Sequence, residues 1–519
     1  MLAMNGGLLL AIDAGGSMVK ATVFYPAGGR SRTVSQSIPV ARHLPGQSER
    51  DPDVLWAATA GCIRKVLAGI RRGAERISAI GLTAHGNGLY LVDADGRATR
   101  AAVMAADTRA ASLVRRWAAD GLADHLQARS WNGLWAGQPG PILASLAHTE
   151  PDVLAGSHAA LSCKDYLWGR LTGSIETELT AASASALYDN AAWAADPGGK
   201  TLEVNDEMIE AFGLTRWRCL LGIPVSPTTV RFVSPMAADV TGLLPGTPIV
   251  AGVVDNAAMH HGSGVFDSNT ICVGTGTWSI NQILVPTSEV ETAVAAIRPN
   301  AANIALNGMA LLCEASPTSA SNLDWALNQA IRTTATEHRT SGLNIYTERL
   351  NLDECRRQSL DDPVFLPFID GSRADSGARG AWVGLSSATG EDQLLGAVIE
   401  GICFEHRRHV DRLQAALPTR QPVRLSGGAT KSAVWCQRFA DALGVPVHAS
   451  PVTELGSVCA GAMAGVSAGT FADVVDGVLT LNPTWDVYQP NPLTSDFVTA
   501  RYARYCDLAA YFDHMPWEA

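Results

Sequence analysis

Asp255 ends the apolar run Val250-Ala-Gly-Val-Val and is followed by the small residues Asn256-Ala-Ala. A carboxylate placed where a strand ends can take the proton of a substrate hydroxyl while a phosphoryl group is delivered in line. It can equally cap a helix opened by Asn256-Ala-Ala, and spacing alone does not separate the two readings. Matching anion chemistry comes from two glycine turns, Asp13-Ala-Gly-Gly-Ser17 and Gly274-Thr-Gly-Thr277. In such turns successive backbone N–H groups can converge on phosphate oxygens with no Cβ in the way. Either turn alone is explained as well by a hairpin tip, and their pairing is the stronger signal. Neither carries the GxxxxGK[ST] pattern of a Walker loop or a GxGxxG leading into a helix. Asp13 can hold Mg²⁺ or its waters beside the phosphates, or simply form its turn.

The elements that position these residues follow from the hydrophobic pattern. Leu8–Ile12 and Val19–Tyr25 read as strands around the first turn, and Asn269–Val273 and Trp278–Val285 as strands around the second. Two strand-turn-strand units in one chain predict a duplicated α/β architecture with mixed sheets, in which two related domains enclose a cleft. Ile77–Thr83 and Leu89–Val92 are expected to pair around Ala84-His-Gly-Asn-Gly88, closed by the turn Asp93–Gly96. Asp51-Pro52 should start a helix whose buried stripe is Leu55, Cys62, Ile63, Val66, Leu67 and Ile70. Ser432 should cap another, with Val434, Trp435, Phe439 and Leu443 inward and Gly444 at its end. The small-residue run Ala460–Gly465 suits either a flat ligand or tight helix packing. Pro245-Gly-Thr-Pro248 is the candidate hinge, dividing the chain into residues 1–249 and 250–519, and the polar stretch 340–360 reads as a loop or helix connection.

At 519 residues the chain is long enough for at least two cores. A net charge of -11 with no lysine- or arginine-rich run argues against nucleic acid or an anionic membrane as partner. The 10 cysteines are scattered singly, mostly in apolar runs, and read as buried free thiols of a reducing cytoplasm, with a zinc site or disulfide framework as the lesser alternative. The N-terminal run has no basic segment ahead of it and no apolar stretch approaches ~18 residues, so a cytoplasmic location is expected.

In chain order these motifs resemble the FGGY carbohydrate kinases over nearly the whole sequence. The resemblance rests on Asp13-Ala-Gly-Gly-Ser-Met-Val-Lys20, Asp107-Thr-Arg109, Lys164-Asp-Tyr-Leu-Trp-Gly-Arg-Leu-Thr-Gly173, Gly252-Val-Val-Asp255, Gly274-Thr-Gly276 and Glu400-Gly401. Ser426-Gly-Gly-Ala-Thr-Lys-Ser432, Gln437, Ala440-Asp441 and Ala460-Gly-Ala462 extend it. It implies two actin-like, ribonuclease H-like ATPase domains, an N-terminal one for the sugar and a C-terminal one for the nucleotide. Asp255 is then the catalytic base and Asp13 the acid beside Mg²⁺, the cofactor that accompanies ATP. Gly15, Gly16, Ser17, Lys20, Gly274, Thr275 and Gly276 fall to the phosphate loops. Gly427, Gly428, Ser432 and a turn at Ala460–Ala462 fall to the nucleotide end, and His85, Asn87, Asp107, Asp255 and Asn256 to the sugar.

The departures are as informative. Common sugar kinases carry Gly-Gln-Met-His or Gln-Arg-Glu where this chain has Ala84-His-Gly-Asn87, and a tryptophan where it has Ala105. Asn256 replaces a frequent glutamine, Glu178 a frequent aspartate, and the family's lysine near Pro141-Ile-Leu143 is missing. The stretch Glu314-Ala-Ser-Pro-Thr-Ser319 with Asn322-Leu323 and the Gly-Gly-Ser first loop imply a ketopentose such as L-xylulose, with a sugar alcohol such as erythritol as the alternative. Direct in-line phosphorylation of a terminal hydroxyl is the implied reaction, and a homodimer the implied assembly. An actin-like ATPase acting on a protein partner is the alternative of another class, and stimulation of ATP turnover by small polyols separates the two.

Overall fold

The computed structural model describes residues 7–28, 31–195, 201–331, 359–373, 377–415, 422–515 and 517. Most of the polar stretch 340–360, together with Cys355, lies outside the described residues. The chain divides into two compact units, Met1–Phe266 with Val285–Leu311 and Glu454–Pro483, and Asp267–Leu284 with Leu312–Thr453 and Thr484–Ala519. These are not consecutive segments meeting at residue 250. Pro245–Pro248 leads into the strand Pro248–Val250 inside the first unit, and the late segment 454–483 returns to that unit.

In the first unit the apolar run Leu8–Ile12 makes most of the strand Leu8–Ala14, buried on both faces there as a central strand requires. It pairs antiparallel with Met18–Phe24 and parallel with Ile77–Ala84. The sheet order is Arg32–Ser37, Met18–Phe24, Leu8–Ala14, Ile77–Ala84, Pro248–Val250, Val230–Phe232. The second unit repeats the pattern. Ile271–Thr275 pairs antiparallel with Ser279–Pro286 and parallel with Val423–Gly427, followed by Val447–Ala449 and the antiparallel Asp486–Tyr488. Met309–Ser316 lies on the other side of Ser279–Pro286, where Arg32–Ser37 lies in the first sheet. Both expected hairpins are present, and from each hairpin to the far antiparallel edge strand the parallel and antiparallel senses match.

One expected pairing is not made. Tyr90–Val92 bonds to Ala159–Leu161, because both edges of Ile77–Ala84 are already taken by Leu8–Ala14 and Pro248–Val250. The turn at Asp93–Gly96 forms, with Gly96 N–H donating to the Asp93 carbonyl at 3.0 Å. Asp51 caps the helix Pro52–Ala68 by accepting from the Asp53 and Val54 N–H groups, and Leu55, Cys62, Ile63 and Val66 are its buried stripe. Ser432 caps Ala433–Leu443, which ends at Gly444 with φ +66°.

The small-residue run belongs to packing. Ala460–Ala462 is the middle of the helix Leu455–Ser467, not a turn, and it lies in the first unit. A Cβ on Gly81 would fall 1.8 Å from the Ala460 carbonyl oxygen, and one on Gly262 2.0 Å from that of Leu455. A Cβ on Gly461 would fall 2.7 Å from the Phe24 ring. Short side chains let this helix lie directly on Leu8–Ala14 and Ile77–Ala84. Gly81→Ala should therefore lower stability by about 3 kcal/mol, read as a reduced thermal midpoint. An unchanged midpoint would mean that the helix shifts without penalty.

Candidate active site

Asp255 opens the helix Asp255–Gly262, whose N-cap is Val254. Its Oδ1 accepts from the N–H groups of Gly86 at 3.2 Å and Asn256 at 2.7 Å. Among the described residues no donor reaches Oδ2. Burial pushes the carboxyl up to about 6, against the two backbone donors. One oxygen is thus pinned and the other is left with an open lone pair at a helix N-terminus.

The backbone leading to Asp255 is clamped from both sides. Gly252 has φ +72°, and a Cβ there would fall 1.7 Å from the Leu82 carbonyl oxygen. Thr83 Oγ1 donates to the Val253 carbonyl at 2.8 Å. Val254 N–H donates to Thr180 Oγ1 at 3.1 Å, and that hydroxyl donates to Glu178 Oε2 at 2.7 Å. Lys164 Nζ lies 3.3 Å from Glu178 and 2.9 Å from Asp165, all of them buried. With its proton committed to a carboxylate that a buried lysine holds, the Thr180 hydroxyl turns a lone pair toward Val254. Neither Thr180 nor Thr83 carries a sequence signal, since buried threonines in apolar stretches are ordinary.

Asp13 faces Lys20 across the antiparallel pair and Thr83 across the parallel one. Burial pushes its carboxyl up to about 7, Lys20 opposes this, and the negative charges of Asp255 and Glu454 add to it. Lys20 itself forms an ion pair with Glu454, at the start of the helix Leu455–Ser467. A carboxylate under these conditions gains from an adjacent cation. Among the described residues no group of three or more His, Cys, Asp or Glu could cage a metal ion. Mg²⁺ is ordinarily held by one or two carboxylates with substrate phosphates, and a lone oxygen donor such as Asp13 fits that mode.

In the first glycine turn Gly15 N–H donates to the Met18 carbonyl at 2.9 Å, while Gly16 and Ser17 are exposed. Neither Gly15 nor Gly16 has a positive φ. A Cβ on Gly16 would meet no atom within 4 Å, and one on Gly15 only the Met18 carbonyl at 3.5 Å. Nothing inside the protein requires glycine here, so what the missing side chain leaves free is approach from outside.

The expected sugar residues divide. His85 is buried, 3.4 Å from Tyr90 Oη through Nε2, and burial lowers it to about 4, so the ring is neutral at pH 7. Asn87 has φ +58°, and its Oδ1 is buried without a hydrogen-bond partner. Asn256 Oδ1 is used by the Ala257 N–H at 2.7 Å. Asp107 is turned into the protein. It accepts from Ser48 N–H at 2.7 Å and from Arg109 N–H, Nε and Nη2 at 2.9, 2.8 and 2.9 Å. Burial alone would raise Asp107, but these donors hold it below the usual carboxylate range. Its two oxygens fix a loop and have little left for a ligand.

In the second unit the two glycine segments are stitched together. Thr275 Oγ1 donates to the Ser426 carbonyl at 2.8 Å and accepts from Ala429 N–H at 3.0 Å. Gly427 has φ +90°, and a Cβ there would fall 2.6 Å from the Thr275 carbonyl oxygen, whereas Gly428 has 3.6 Å. Gly276 is exposed, and its carbonyl accepts from Ala320 N–H at 3.0 Å. The Glu314–Ser319 segment is anchored below by two histidines that the sequence did not single out: Ser316 bonds His409 at 2.8 Å and Ser319 bonds His406 at 3.1 Å. Ser432 departs from its expected nucleotide role, because its hydroxyl is buried and spent on capping Trp435 N–H at 3.3 Å.

Two sheets of one topology, each with a glycine turn in its first hairpin, and the carboxylates of Asp13 on a strand and Asp255 at a helix start make up a two-domain α/β kinase fold. The structure is similar to a ligand-bound xylulose kinase from Lactobacillus acidophilus, with TM-score 0.84 and 22% identity over 98% of both chains. The chain belongs to the FGGY family of carbohydrate kinases and is an ATP-dependent kinase: it matches the family's N-terminal domain over residues 8–262 and its C-terminal domain over residues 271–468. It is 29% identical over 501 residues to "Probable L-xylulose kinase" of Pasteurella multocida (strain Pm70), covering 96% of this chain and 98% of that one. It is 28% identical over 522 residues to the erythritol kinase of Brucella abortus (strain 2308), covering 96% of each. Among the described residues no helix is long and apolar enough to cross a membrane.

Thr180→Val preserves shape and removes the acceptor of the Val254 N–H. Turnover should fall by about tenfold or more with both Michaelis constants little changed, and Thr180→Ser should restore it. Normal turnover in the valine variant would show that Asp255 is held without this hydroxyl.

Proposed function

We propose that Asp255 is the general base that activates a terminal hydroxyl of a ketopentose such as L-xylulose. The observation that carries this reading is the half-committed carboxylate, with Oδ1 pinned by two backbone N–H groups and Oδ2 open. A base so oriented accepts the hydroxyl proton as the oxygen attacks the terminal phosphorus of ATP, and ADP leaves with no covalent enzyme intermediate. The Gly15–Ser17 turn presents its backbone to the phosphoryl oxygens, and the Gly274–Gly276 turn, backed by Gly427 and Gly428, serves the nucleotide phosphates. Asp13 would hold Mg²⁺, which when bound supplies positive charge against those oxygens. Neutral His85 and the unpaired amide oxygen of Asn87 suit an uncharged, hydroxyl-rich substrate. The names of the relatives support L-xylulose first and erythritol second. The reading places the enzyme in the cytoplasm.

Asp255→Asn should lower turnover by ~10²-fold or more while calorimetric affinities for ATP and sugar stay near those of the parent. Near-normal turnover would remove the assignment.

Asn87 occupies the left-handed region, so Asn87→Gly removes its amide without straining the backbone. The loss of a hydrogen bond in a dry pocket, about 1–3 kcal/mol, should raise the sugar Michaelis constant about tenfold and leave that of ATP unchanged. A coupled ADP-release screen over ketopentoses, pentitols and tetritols identifies the sugar to use. Fastest turnover on a tetritol would replace the ketopentose with the sugar-alcohol alternative.

A further inference from the structure

Arg50 is a buried cation with no counter-ion among the described residues. It lies on the short strand Glu49–Arg50, paired to Ala102–Val103, and is 1% exposed. Among the described residues no carboxylate forms an ion pair with it, and its Nε is enclosed without a partner. Its neighbour Glu49 is engaged by Arg100 and Arg109 instead. A guanidinium taken out of water without an acid is unfavourable unless other groups, or a ligand, answer its charge.

Those other groups are the carbonyls of the first glycine turn. Arg50 Nη2 donates to the Gly16 carbonyl, and Nη1 to that of Gly15 at 3.5 Å, with the Tyr90 phenol beside the guanidinium. In a trans peptide the C=O and the following N–H point in opposite directions. Drawing the carbonyls of Gly15 and Gly16 inward therefore turns the N–H groups of Gly16 and Ser17 outward. Among the described residues neither N–H has an acceptor. Gly16 and Ser17 are exposed, and a Cβ at Gly16 would meet no atom within 4 Å, so this part of the turn is open to a ligand.

We propose that Arg50 is the positioning residue of the first phosphate loop: it orients the Gly16 and Ser17 amides toward phosphoryl oxygens and places a buried positive charge behind them. The ligand class it serves is the phosphate chain of the nucleotide, and the anion supplies the charge that the protein withholds. This rests on reading Gly15–Ser17 as a phosphate loop. Arg50 touches no reacting atom; it acts through two peptide groups, a preorganised dipole arrangement of the kind that stabilises developing negative charge.

The test compares calorimetric affinities of the intact protein for adenosine, ADP and a non-hydrolysable ATP analogue, each with Mg²⁺. Arg50→Met keeps the side-chain length and removes the charge. It should weaken the ATP analogue by about tenfold or more while adenosine stays within about twofold, because only the phosphates sense the loop. Arg50→Lys keeps the charge and loses the fork, so its loss for the ATP analogue should be intermediate, again with adenosine unchanged. It also serves as the deciding variant if Arg50→Met does not fold. Equal weakening of adenosine and ATP analogue, or no weakening of either, overturns the proposal. Gly16→Val is measured alongside. If it binds the ATP analogue normally, the phosphate-loop reading itself fails. If it loses the analogue while the folded Arg50 variants retain it, only the role of Arg50 fails.

Discussion

The approach of the Ala460 carbonyl to the backbone of Gly81, too close for any side chain between them, governs the first unit. It lets the helix Leu455–Ser467 lie flat on the two central strands, and the start of that helix then meets the site. Glu454 reaches Lys20, and a Cβ on Gly456 would stand 3.1 Å from Asp13 Oδ2. The carboxylate proposed to carry a metal ion is thus buried by a segment more than four hundred residues away in sequence. That burial is the largest influence on its protonation. A packing contact between two backbones sets the electrostatics of the site.

Much of the fold was legible because its signals are local. Hairpins are bounded by their own glycine turns, and helix starts at Asp51 and Ser432 are written in cap residues within a turn of the helix. The misread elements depended on distant partners. Leu89–Val92 has the composition of a strand, but its partner at Ala159–Leu161 is set by which edges of the central sheet are already occupied. The return of residues 454–483 to the first unit has no local signature at all, because a helix rich in small residues looks the same wherever it packs.

The same division holds at the site. Residue type told where chemistry could occur, but not which polar atoms remain available once the chain is folded. Asp107 and Ser432 have suitable groups that the protein itself consumes, whereas Asp255 Oδ2 and Asn87 Oδ1 are left over. The supporting residues Thr83, Thr180 and Arg50 contribute one or two hydrogen bonds each to backbone atoms of other segments. Such bonds leave no pattern in spacing or composition, since any hydroxyl or guanidinium at the right height would serve.

The two sheets share a topology, yet they use glycine for opposite reasons. Gly427 is needed by its own backbone, at φ +90° and against the Thr275 carbonyl, while Gly16 is needed by nothing in the folded chain. Under selection these positions are guarded by different filters. A side chain at Gly427 is removed by the quality control that senses misfolding, before any substrate is met. A side chain at Gly16 meets no atom of the folded chain, so under the phosphate-loop proposal its cost falls on ligand binding and leaves folding untouched. Within one shared topology, the same residue type answers to backbone geometry in one sheet and to open space in the other.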